Sequence, residues 1–168
     1  MATQQSLLRH KETIEFIDDD LPNLDSDVIP WDDASHPTDD YNCMGMAVGF
    51  LRWWSPPEAP GCVRNPRDYW PPFIDGDSIL VSAFVDAAGT VGFRLCGIPD
   101  WEPDFEKIVL FDQGGEFTHA AIQVGPHRWK SKFGNLSDFE HSLDEVVGPY
   151  GNGRHYMKRE RRAAQSAS

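Results

Sequence analysis

Two side chains in this sequence have the type and setting for nucleophilic chemistry, a cysteine at position 43 and a histidine at position 119. In Asp39-Asp40-Tyr41-Asn42-Cys43-Met44-Gly45-Met46-Ala47 a polar, turn-forming run gives way to an apolar one. Asn42 has the side chain of an N-cap, and Ala47, Phe50 and Trp54 follow at helical spacing, which puts Cys43 in the first turn on the buried side. The unpaired N–H groups and the positive end of the helix dipole there favour thiolate over thiol. The plainer alternative is a small buried hydrophobe. A thiolate nucleophile needs a base within reach, and imidazole suits that task at neutral pH. Of six histidines, His119 is set apart because it opens a strand in Thr118-His119-Ala120-Ala121, where small neighbours leave room for another element. His10, His36, His127 and His155 read as exposed polar residues. His141 reads as a helix-surface residue or a second contact near the site.

A third group should orient the imidazole. On the next strand the position opposite His119 falls at Ser131 or Lys132, depending on the register of the turn. Alternation puts Trp129, Ser131 and Phe133 on one face and Lys130 and Lys132 on the other. A serine among aromatics is the odd member of a buried face, so Ser131 is the candidate, its plainer role being a hydroxyl bonded to a neighbouring strand.

The elements that must hold these groups follow from the periodicity. A helix runs from Cys43 to about Trp54 and stops at Ser55-Pro56-Pro57. Before it, residues 6 to 17 form a short helix, and the segment up to Asp40 is an extended acidic arm pinned by Leu21, Leu24, Val28, Ile29 and Trp31. After it, Ser55 to Phe73 is a long structured loop rich in proline and aromatics, containing Cys62, a weaker nucleophile candidate. Asp77 or Ser78 caps a second helix that ends at Gly89. Strands are expected at Val91–Cys96, Lys107–Phe111, Thr118–Val124 and Trp129–Phe133, the last three forming an antiparallel meander. Ser137 caps a short helix through Asp138, Phe139 and Glu140, ending near Gly148, and a last strand covers Gly153–Lys158. The expected fold class is α+β, with an N-terminal helix carrying the cysteine packed on an antiparallel sheet carrying the histidine. Residues 1–40 form the arm, 41–159 the domain and 160–168 a frayed tail.

The formal charge of −12 on 168 residues argues against nucleic-acid and anionic-membrane partners and favours a cationic or neutral polar one. The acidic surface also offers a face to a protein partner. Three cysteines without paired spacing fit neither a zinc ribbon nor a disulfide framework, and point to a reducing compartment. With no apolar leader and no run of membrane-spanning length, a cytoplasmic location is expected, signal-independent export aside.

The order Asn42-Cys43, then Thr118-His119-Ala120-Ala121, then a polar residue on the next strand resembles the papain-like amidase and peptidase superfamily, in particular its compact NlpC-like branch. A wider set is similar to an uncharacterised bacterial domain family. It comprises Asn42-Cys43 with Ala47, Trp53-Trp54, Glu106-Lys107-Ile108, Thr118-His119-Ala120-Ala121, Trp129 with Ser131-Lys132, Asp138 with His141, Tyr150-Gly151 and Met157-Lys158-Arg159. The resemblance implies a thiol hydrolase without cofactor acting on a peptide or small amide. Cys43 would attack the carbonyl, His119 would serve as base and then acid, and Ser131 would orient it. The Cys43 N–H and the Asn42 side chain would hold the oxyanion, with Trp53, Trp54, Trp70 and His141 lining the cleft. Ser131 stands where the superfamily more often has His, Asn, Asp or Gln, which opens a second reading, a papain-like binding or immunity module without turnover. A deamidase or acyltransferase using the same pair is a chemical neighbour. A metal site of Cys43, His119 and His141 is a third possibility, though no short ligand pair such as His-Glu-x-x-His anchors it.

Overall fold

The computed structural model describes residues 40–60, 65–132, 138–146 and 150–162. The arm before Asp40, the helix expected over residues 6 to 17, and Cys62 lie outside the described residues. So do the end of the tail and the cap expected at Ser137.

The run Lys107-Ile108-Val109-Leu110-Phe111 is buried at every position and forms the middle of a long strand. A strand that is apolar without alternation must be covered on both faces, and this one divides its side chains between two cores. Ile108 and Leu110 join Cys43, Met44, Val48, Phe84 and Met157 on one side. Val109 and Phe111 join Ala121, Trp129, Phe139 and Val146 on the other. The elements, in chain order, are α1 (Cys43–Val48), α2 (Val81–Gly89), β1 (Arg94–Cys96), β2 (Phe105–Gln113), β3 (Glu116–Gly125), β4 (Arg128–Lys132), β5 (Asp138–His141), a 3-10 turn (Asp144–Val146) and β6 (Gly153–Glu160). The fold is mixed α+β, a six-stranded antiparallel sheet with a few short helices. Its order is β1-β6-β2-β3-β4-β5, so β6 is inserted between β1 and β2. The meander through β4 follows the expected order. It turns at Gly114-Gly115, whose φ values of 62° and 87° suit a tight hairpin that residues with a Cβ avoid.

Two expectations are corrected, besides the start of α2, which lies at Val81 after Leu80 and has no side-chain cap from Asp77 or Ser78. The first helix ends at Val48 instead of near Trp54. Gly49 adopts φ 71°, and its N–H and that of Phe50 close the last turn onto the Met46 and Gly45 carbonyls. The chain then turns back, and Trp54 bridges to Tyr69. The second correction concerns Asp138-Phe139-Glu140, which is strand β5 and not a helix. Pairing Phe139 with Ser131 and Asp138 with Lys132 buries the Phe139 ring in the second core, and that tertiary gain overrides a cap-like local sequence. Among the described residues no helix is long and apolar enough to cross a membrane.

Candidate functional site

Asn42 caps α1 as its sequence implies. Its Oδ1 accepts from the Gly45 N–H at 3.1 Å and from the Trp54 N–H at 3.2 Å. Its Nδ2 donates to the Trp54 carbonyl at 2.8 Å. Both ends of the amide are thus committed to tying the helix start to the chain that returns past it. Of the two Nδ2 hydrogens, one is taken by the Trp54 carbonyl. Cys43 follows at the first helical position, buried in the apolar cluster beneath the helix. Burial pushes its thiol up to about 11, outweighing the backbone hydrogen bond at Ala120 and the nearby Lys132 ammonium, both of which lower it. The helix start favours the thiolate, but desolvation of the buried sulfur is the larger effect.

His119 lies in the other core. It pairs in register with Phe111, and its ring stacks on Tyr150 with centroids 4.0 Å apart and planes 9° from parallel. Ser131 pairs with Ala121, two residues along, and faces the same side. Its Oγ is 2.6 Å from His141 Nε2, while His141 Nδ1 is 2.8 Å from the Ser142 carbonyl. A carbonyl only accepts, so Nδ1 carries the proton and the Ser131 hydroxyl donates to Nε2. Burial drives His141 down to about 4. His119 is held well below the usual histidine range, first by burial and then by the charge of His141. Both imidazoles are therefore neutral at pH 7.

The structure brings together three of the residues singled out in the sequence, His119, Ser131 and His141, but places Cys43 on the opposite side of the sheet. Along β3, Ala120 points to the Cys43 core, whereas Ala121 points away from it into the core that also holds Phe111, the cross-strand partner of His119. The group that shares the cysteine's side is Lys132, the alternative third residue. It is fully buried, with its Nζ 5.1 Å from the Tyr41 ring centroid. Tyr41 in turn donates to Asp138, 3.4 Å from its hydroxyl, and Lys130 pairs with the same carboxylate at 3.6 Å. Burial raises the Asp138 carboxyl despite these partners. Trp54 and Trp70, the expected cleft walls, are packed into the Cys43 core, with their indole N–H groups on the Phe50 carbonyl and on the Ile74 and Asp75 carbonyls. The alternation separating Ser131 from Lys132 was readable in the sequence; the side of the sheet that α1 covers was not.

Comparison with known families adds one finding. The family model described as Domain of unknown function (DUF7689) matches residues 33–158, most of the chain. The chain belongs to that family. No curated protein and no solved structure matches it. The DUF7689 match spans Asn42, Cys43, His119, Ser131, Lys132 and His141, so each of these residues falls inside the family's domain. Among the described residues of this DUF7689 domain, no group of three His, Cys, Asp or Glu side chains is placed to hold a metal ion.

Proposed function

We propose that this domain is a binding module in which Cys43, His119, Ser131 and His141 serve the fold instead of turnover. The observation that carries the reading is the sheet itself, which stands between the thiol and both neutral imidazoles. A thiol held near 11 has about one part in a thousand as thiolate at pH 8, too little for a poised nucleophile. The helix-then-sheet order supports a papain-like arrangement of the fold, and the unpaired described cysteines, Cys43 and Cys96, suit a reducing, cytoplasmic setting.

The competing reading is a cysteine amidase or peptidase, favoured by the Asn42 cap that sets Cys43 at the helix start and by Lys132 beside it. The two separate on exposure of the native protein to an electrophilic chloroacetamide peptide at pH 7.5, followed by peptide-mapped mass spectrometry. A binding module leaves Cys43 unmodified while the half-exposed Cys96 reacts. Modification of Cys43 faster than Cys96 would restore the hydrolase reading.

A further inference from the structure

On the face of the sheet that carries the buried histidines, a cavity of about 350 Å³ opens between Pro99, Trp101, Trp129 and Leu143, edged by Asp100 and Asp144. That is the size range of sites for a small molecule or one long side chain. Its charge is unevenly spent. Arg154, also on the rim, is held by Asp144 at 2.9 Å and by Tyr156. Among the described residues the Asp100 carboxylate has no ion-pair partner, and the molecule around it carries −12.

A second, independent observation lies beneath the wall. Gln123 is 4% exposed and pairs in register with Trp129. Its Nε2 donates to the Pro99 carbonyl at 2.7 Å. Because that carbonyl only accepts, the orientation of the amide is fixed, and Oε1 is left as a buried acceptor without a hydrogen-bond donor among the described residues. Buried acceptors are normally satisfied, and the two residues that hold Gln123, Pro99 by its carbonyl and Trp129 by strand pairing, are also walls of the cavity.

We propose that this cavity binds an organic cation, an alkylammonium or guanidinium group of the kind that lysine and arginine side chains present. Its N–H groups would reach Asp100 and the Gln123 acceptor, its stem would lie along the tryptophans, and the aromatic faces would add cation–π attraction. The field of an acidic molecule steers such a group inward. This inference rests on the binding-module reading and names the ligand class.

The test is a titration of the ¹⁵N-labelled full chain with Nα-acetyl-arginine amide, following the indole N–H resonances of Trp101 and Trp129. The neutral Nα-acetyl-glutamine amide and the anionic Nα-acetyl-glutamate amide are the comparisons. Saturable shifts of both indoles with the arginine probe alone, weakened about tenfold by Asp100→Asn and also by Gln123→Leu, are expected. Asp100 is exposed, so its substitution keeps the test independent of folding. No saturable shift, or equal binding of the glutamate probe, overturns the proposal. A tetra-arginine peptide binding more than tenfold tighter than the amide assigns the cation to a protein partner, and equal affinity assigns it to a small amine. A flat titration with Cys43 still inert removes this pocket alone, whereas fast modification of Cys43 removes the module reading alone.

Discussion

Ser131 and His141 are better understood as a pair than as separate candidates. The hydroxyl has a buried imidazole nitrogen as its acceptor, and that imidazole has a backbone carbonyl fixing its other side. Replacing Ser131 with alanine leaves His141 Nε2 buried without a donor, at a cost of about 1–3 kcal/mol. The expected outcome is a lower urea midpoint with an unchanged denaturant slope. The sequence showed that a serine among aromatics was unusual, and it showed which side of the strand Ser131 shares with Trp129. It did not reveal His141 as the partner, because the segment carrying that histidine resembled a capped helix and so placed His141 on a surface. The cysteine was legible as the first residue of a helix, but its reactivity was not. Whether burial outweighs the helix start depends on how closely β3 packs beneath it, which no local pattern states.

Helix α1 is short because of the glycines around it. Gly45 faces the returning chain so closely that an added Cβ would run into the Arg52 carbonyl, whereas nothing lies within 4 Å of a Cβ added at Gly89 at the end of α2. Gly45→Ala is therefore expected to lower the thermal midpoint through displacement of residues 50–52. Gly89→Ala should raise stability by roughly 0.5–1 kcal/mol by narrowing the unfolded ensemble. Circular dichroism melts of the two variants make the comparison, and equal effects would contradict the packing described for α1. The β-hairpins were readable from the sequence because Gly114-Gly115 and Pro126-His127 interrupt clear apolar runs. The true end of α1 was not, since Phe50 and Trp54 continue a helical period that Gly49 breaks through its backbone angle alone. The place of β6 between β1 and β2 was equally hidden, being a matter of long-range pairing.

At the scale of the molecule, the sheet acts as a partition between two cores, each holding groups that resist ionisation. His141, held at about 4 against 6.5 in an unfolded chain, refuses protons that the unfolded state accepts, and His119 behaves likewise. Stability should thus be full above pH 6.5 and decline as the pH falls toward 4, by on the order of 3 kcal/mol from His141 alone. Asp138 has the opposite sign, since its raised carboxyl binds a proton more readily in the folded state and offsets part of the loss in the acid range. Urea midpoints measured between pH 7.5 and 4.5 check the balance. The partition itself is tested most directly by the pH dependence of Cys43 alkylation by iodoacetamide, followed by peptide-mapped mass spectrometry in the native protein and in His119→Ala. With the sheet between the two groups, the rate should rise with a midpoint near 11 in both proteins. A plateau at neutral pH that disappears in His119→Ala would mean that thiol and imidazole form a pair, and would contradict the account.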